Sequence, residues 1–80
     1  MREQLEQLKT NHAVFWFDNM YGASVVKDEP EAYCKEGFPY EIAVINKRGE
    51  IDFTTPLTDD VFGYLTLGQA VETLEAIANL

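Results

Sequence analysis

The sequence predicts an α+β domain: a four-stranded antiparallel sheet made of two hairpins, a C-terminal helix packed on one face, and a short N-terminal helix. Three observations predict it. Eighty residues leave room for one hydrophobic core, so residues 1–80 are expected to form a single domain. Short runs rich in β-branched and aromatic residues alternate with turn residues. The C-terminal segment, residues 66–80, repeats apolar side chains at helical spacing.

The first half of the chain predicts a helix and one hairpin. Residues 2–9 are good helix formers, and residues 13–17 have the aromatic and β-branched content of a strand. Turn residues follow over 18–22, and residues 23–27 return as the second strand. Because both faces of 13–17 are apolar, that strand is expected to be covered on both sides or to lie at an interface. Residues 28–38, rich in acids, are predicted to form a loop.

The second predicted hairpin is built from residues 40–46 and 51–55. Apolar and mixed positions alternate along the first of these segments, as in a strand with one buried face. The turn between them, residues 46–49, ends in Gly49, which can adopt a positive φ. Pro56 has no N–H to donate to a ladder, so it is expected to end the returning strand.

Two helix starts are predicted after the second hairpin. Thr58 can cap a short helical turn whose first residues, Asp59 and Asp60, would lie at its positive end. Thr66 and Gln69 have the spacing of a capping box, so the last helix is expected to begin after Thr66.

Charge is unevenly distributed along the chain. The net charge is −8, from 14 acids and 6 bases. Residues 1–48 hold eight acids and all six bases, whereas residues 49–80 hold six acids and no Lys or Arg. A surface of this sign repels phosphates and anionic lipids, so direct nucleic-acid binding is disfavoured. The acids of the C-terminal part are candidates for binding a basic partner: Glu50, Asp52, Asp59, Asp60, Glu72 and Glu75.

The sequence indicates neither a membrane span nor a secretory signal. The longest apolar runs, such as residues 13–17, are far shorter than the roughly 20 residues that cross a bilayer. Residues 1–10 are charged and lack an apolar core of the signal-peptide kind. Cys34 is the single cysteine, which excludes an intrachain disulfide. A cytoplasmic location is the expectation that follows.

No catalytic, cofactor-binding or metal-binding constellation is predicted. Asp59 and Asp60 could hold a divalent cation, but no further ligands follow at loop spacing, and a helix start explains the pair as well. His12 and Cys34 lie 22 positions apart, with nothing in the sequence to join them as a base and a nucleophile. Glycine patterns typical of phosphate loops are absent. The sequence therefore favours a protein that is not an enzyme.

The aromatic residues around the first hairpin exceed what one sheet and one helix easily cover. Exposed aromatic surface often marks a partner site. Four residues are therefore candidates for self-association: Phe15, Trp16, Phe17 and Tyr21.

Residues 40–66 also resemble small uncharacterised proteins encoded by phages and prophages. The resemblance rests on an alternating apolar strand, a short turn, and a segment of the form TP-TDDV-GYLT, which spans residues 55–66 here. It covers about a third of the chain and implies a phage-related setting without an assigned activity. Small phage proteins often bind host proteins, which favours a binding module.

Two hypotheses follow from the sequence. The first is a non-enzymatic module that presents an acidic face to a basic, nucleic-acid-handling protein of a host. The alternative is a small homodimeric structural or accessory protein that associates through the aromatic first hairpin. Mimicry of nucleic-acid charge by the acidic face is a narrower form of the first hypothesis, and a merely solvated acidic surface is its plain alternative.

Overall fold

The computed structural model describes residues 1–8, 11–57 and 60–80. It confirms the predicted α+β class: a four-stranded antiparallel sheet, a C-terminal helix and a short N-terminal helix. Neighbouring strands follow chain order, β1-β2-β3-β4, so β1 and β4 are the two edges. The elements in chain order are α1 (Arg2–Glu6), β1 (His12–Trp16), β2 (Gly22–Lys27), β3 (Tyr40–Ile45), β4 (Phe62–Leu65) and α2 (Leu67–Ala78).

The core lies between one face of the sheet and the two helices. Residues opposite each other in antiparallel strands point to the same side, and the register pairs Phe15 with Ala23 and Ala23 with Val44. α2 packs on β2, β3 and β4, and α1 packs against α2. This face of the sheet is called the covered face below. The buried core residues are Leu5, Ala23, Val25, Tyr40, Ile42, Val44, Ala70, Leu74 and Ile77.

Side chains form hydrogen bonds with backbone groups at both ends of α2. At the N-terminus the predicted capping box is confirmed: Thr66 Oγ1 accepts from the Gln69 N–H, and Gln69 Oε1 accepts from the Thr66 N–H. At the C-terminus Asn19 Nδ2 donates to the carbonyl oxygens of Ile77, Ala78 and Leu80, at 2.8, 3.2 and 3.3 Å. The β1–β2 turn is thereby joined to the end of the helix.

The fourth strand is not the predicted one. Of residues 51–55 only Ile51 pairs with β3, through a single bridge to Ile45. The chain then turns, because Asp52 Oδ1 accepts from both the backbone N–H and the hydroxyl of Thr54. The place beside Tyr40 and Ile42 is taken instead by β4.

The predicted helical turn after residue 57 is wrong from Phe62 onward, where the chain is extended. Phe62 and Leu65 are half-buried against the core, so the gain from their burial outweighs the local preference for a helix start behind two acids. Thr58 and Asp59, which the prediction placed at the cap, lie outside the described residues.

Candidate binding surface

No helix of residues 1–8, 11–57 and 60–80 packs on the second face of the sheet. It is called the open face below. Its apolar centre is formed by alternate residues of β1 and their neighbours across the sheet. Val14 is 45% exposed and Trp16 is 55% exposed, although both lie in a strand with partners on one side. The remaining members of this central region are Gly22, Ser24, Ala43 and Ile45.

The Trp16 ring lies across the open face because its cross-strand partner in β2 is Gly22. A Cβ on Gly22 would lie 2.7 Å from Trp16 Cε3 and 3.1 Å from Ile45 Cγ1. The indole and the isoleucine therefore occupy the space that a side chain at position 22 would need. Ile51, which pairs with Ile45, is 50% exposed and continues this row to the far side. The result is an apolar strip from Trp16 to Ile51 that is exposed at its two ends, whereas Ile45 in its middle is only 4% exposed.

The other end of the open face is covered by the segment 29–38. The Tyr33 N–H donates to Glu41 Oε2 at 2.6 Å, which fixes the segment to β3. It also touches β4, because a Cβ on Gly63 would lie only 2.6 Å from Tyr33 Cβ. The predicted loop is thus folded onto the sheet. It covers the open face on the side of β3 and β4, and the part near β1 and Ile51 stays exposed.

Tyr64 is held in an unusual backbone conformation beside this segment. Its φ is 52°, in the left-handed region, and the pairing of β3 with β4 contains a bulge at this point. The Tyr64 N–H donates to the Tyr33 carbonyl at 2.8 Å. Lys35 Nζ lies 5.2 Å from the centre of the Tyr64 ring and 5.1 Å from that of Phe38. These contacts cover the β4 edge of the sheet.

A histidine and a serine meet at the edge of the open face. His12 Nε2 lies 2.8 Å from Ser24 Oγ, although the two are 12 positions apart. This pair could not be predicted from the sequence, because strand register was needed to bring alternate residues of β1 and β2 together. A histidine beside a serine hydroxyl is one part of a nucleophilic site. Two shallow cavities among the described residues have other linings, one along Asp28–Pro30 and Cys34–Glu36 and one around residues 19–21, 46–47 and 52.

The four residues predicted for self-association are divided between the two faces. Trp16 lies on the open face. Phe15, Phe17 and Tyr21 are half-buried and pack against the core on the covered side. Any association through the open face would therefore use Trp16, with Val14 and Ile51, which the prediction did not include.

The predicted acidic residues lie on three separate elements. Glu50 and Asp52 follow the turn after β3, Asp60 precedes β4, and Glu72 and Glu75 are exposed on α2. Asp59 lies outside the described residues. Hydrogen bonds from the Thr54 hydroxyl and then from its backbone N–H hold the pKa of Asp52 below its ordinary value. Asp60 Oδ1 accepts from the Val61 N–H. Some of these acids thus have local structural partners.

Metal-binding groups and membrane-spanning helices are two further features to consider in the described residues. In residues 1–8, 11–57 and 60–80, no group of three or more His, Cys, Asp and Glu side chains is placed to hold a metal ion. In the same part of the chain, no helix has the length and apolar character needed to cross a membrane.

No protein-family model matches the chain. Comparison with curated proteins and with solved structures gives no significant match either.

Proposed function

We propose that this chain is a non-enzymatic protein-binding module that uses the open face of its sheet to hold a basic protein. The observation that supports this most is the exposure of Val14 and Trp16 on the open face, which neither α1 nor α2 covers. Large exposed aromatic and aliphatic side chains of this kind are typical of contact surfaces between proteins.

The charge supports a basic partner. At a net charge of −8 the chain attracts positively charged proteins and repels nucleic acids and other acidic proteins. Glu50, Glu72 and Glu75 are exposed and available for such attraction. In the phage-related setting implied by the resemblance of residues 40–66, the partner would be a nucleic-acid-handling protein of the bacterial host, and the site of action would be the cytoplasm.

Capture from a bacterial lysate tests the proposal. The wild type, Trp16→Ala and the control Met20→Ala are immobilised, and bound proteins are identified by mass spectrometry. Met20 is the control because it is also an exposed apolar residue but lies in the β1–β2 turn. A basic protein should be retained by the wild type and the control and lost with Trp16→Ala. Circular dichroism of each variant checks that it is folded.

High salt and charge reversal test whether electrostatic attraction contributes to the capture of a basic protein. Capture should weaken in high sodium chloride and with Glu72→Lys plus Glu75→Lys, because attraction between exposed charges is screened or reversed. If Trp16→Ala still retained the basic protein, the open face would not be the binding surface. Retention by the charge-reversed variant would remove the acids of α2 from the proposal.

A homodimer formed through the open face is the second candidate, and the same exposed Trp16 favours it. Light scattering at low and high salt separates the two. A monomer under both conditions would exclude the homodimer, whereas a dimer that Trp16→Ala dissociates would support it.

A further inference from the structure

The β1 edge of the sheet has backbone groups that point away from its one neighbour. The Phe17 N–H donates to the Tyr21 carbonyl and the Lys27 N–H donates to the Asn11 carbonyl, at 3.0 and 2.9 Å. Odd-numbered residues of this segment therefore bond to β2. It follows from antiparallel geometry that the N–H and C=O groups of Val14 and Trp16 point outward, to the side where no other strand of the described residues lies.

The two edges of the sheet differ in how they are protected. Edge strands usually carry a charged residue, a proline, a bulge or a covering segment that prevents a further strand from pairing. β4 has both a bulge and a covering segment, because Tyr33 accepts the Tyr64 N–H. β1 has the sequence HAVFW and pairs residue for residue with β2 without a bulge. It is therefore geometrically suited to accept another strand.

The size of the open face favours an extended segment as the occupant. With strands about 4.8 Å apart and about 3.4 Å per residue, four strands of five residues span roughly 14 by 14 Å. A stable complex between two folded proteins usually buries about 800 Å² on each partner. A single strand needs less side-chain surface because it also gains backbone hydrogen bonds along the edge.

Acidic residues lie at both ends of β1. Asp18 is exposed two residues after the strand, and Glu29 Oε2 accepts, at 3.4 Å, from Nδ2 of Asn11, the residue before it. A second copy of this chain would bring acids next to acids at these ends, whichever way its β1 ran. A segment with basic residues at its two ends would instead be attracted at both.

We propose that the open edge of β1 is a strand-addition site for an extended segment of the partner, with apolar side chains at alternate positions and Lys or Arg at both ends. This inference rests on the proposed function and says which part of the partner is bound. The added strand pairs with Val14 and Trp16 in antiparallel direction. Its alternate apolar side chains then lie on the open face beside the same two residues.

A labelled synthetic peptide tests the inference directly. The probe has two lysines at each end and the sequence Val-Thr-Val-Thr-Val between them, and its binding is measured by fluorescence polarisation. In the proposed pairing the valine amides face β1 and the threonine amides face solvent. N-methylation of the valine amides should weaken binding by about tenfold or more, since it removes the hydrogen bonds that these amides donate to β1. N-methylation of the threonine amides is the matched control and should leave binding nearly unchanged.

Amide hydrogen exchange locates the bound peptide. Exchange of the Val14 and Trp16 amides should slow on binding, because these N–H groups gain partners. A peptide with glutamates in place of the lysines should bind much more weakly. The inference is overturned if the unmodified peptide does not bind, if both methylated peptides bind as well as the unmodified one, or if the protected amides lie elsewhere. Protection of Val14 and Trp16 that rises with protein concentration alone, together with a doubled mass, would overturn it in favour of a second copy.

The inference and the proposed function can fail separately. Val14→Pro removes one outward N–H without removing a bond to β2, and prolines are tolerated at such edge positions. If Trp16→Ala abolishes capture of a basic protein but a folded Val14→Pro variant still captures it, the open face binds and strand addition is wrong. If neither variant changes capture, both are wrong.

Discussion

The two faces of this sheet are built from the same strands but have different surroundings. Along β1, Phe15 packs against the core, whereas its neighbours Val14 and Trp16 are about half exposed. Both sets of side chains are apolar, so hydrophobicity alone does not explain the difference. The one long helix of the described residues lies on β2, β3 and β4, which leaves the second face without a helix. The covered face stabilises the fold, and the open face is the surface that we propose for partner binding.

A matched pair of valines gives the largest expected difference between the faces. Val25 on the covered face is 0% exposed and Val14 on the open face is 45% exposed. Val25→Ala should lower the free energy of unfolding by about 2 kcal/mol, since it removes buried methyl groups and leaves a cavity. Val14→Ala should cost less than about 0.5 kcal/mol. Urea denaturation followed by circular dichroism measures both, and equal losses would show that Val14 is covered in solution.

The link between the β1–β2 turn and α2 provides a second, smaller test of the covered side. Asn19→Ala should cost about 1–2 kcal/mol, because three carbonyl groups at the end of α2 lose a part-buried donor. The control is Asn79→Ala, which removes an exposed hydrogen bond to the Glu75 carbonyl in the same helix. Water can replace that donor, so the control should cost less. A larger loss for Asn79→Ala would contradict the assignment of Asn19 as the main support.

A buried hydroxyl gives the smallest effect, and it depends on pH. Tyr40 is 2% exposed and donates to the Leu5 carbonyl at 3.0 Å. Burial, and then the charges of Asp28 and Glu6, raise the pKa of Tyr40 above its ordinary value of 10.0. The unfolded chain therefore loses this proton at lower pH than the folded one. Stability from this source is complete below pH 10 and is lost as pH rises through the folded pKa.

Tyr40→Phe isolates that contribution. The slope of stability against pH above about 10 should be shallower in the variant than in the wild type, as measured by urea denaturation at several pH values. Other tyrosines and lysines also titrate there, so the difference between the two proteins is the relevant quantity. Identical slopes would show that Tyr40 is not buried in the folded protein.

Most of the fold could be predicted from local patterns. The first hairpin, β3 and the capped α2 are each encoded by short runs whose periodicity agrees with the structure. The fourth strand could not be, because residues 51–55 alternate like a strand while Asp52 and Thr54 form a turn. Phe62–Leu65 contains a glycine and follows two acids, so only its packing against the core identifies it as a strand.

The candidate surface was predictable only in part. The apolar character of both faces of residues 13–17 predicted a strand that is covered on both sides or lies at an interface. Strand register was needed to assign Trp16 to the open face and Phe15 to the covered one. Gly22 was a usable signal, because a glycine inside a strand often marks a close approach by another group. Neither the Ser24–His12 pair nor the left-handed backbone of Tyr64 could be predicted from local patterns.

The unprotected β1 edge also has a consequence for how the protein behaves in concentrated solution. An open strand edge can template aggregation, and this chain has no residue within β1 that prevents it. Mutual repulsion between highly negative molecules supplies that protection from a distance. The repulsion disappears near the isoelectric point, pH 4.3, and is shortened to roughly 3 Å at 1 M salt. The acidity of residues 49–80 therefore helps to prevent pairing between copies of this chain, which leaves the edge accessible to the proposed basic partner.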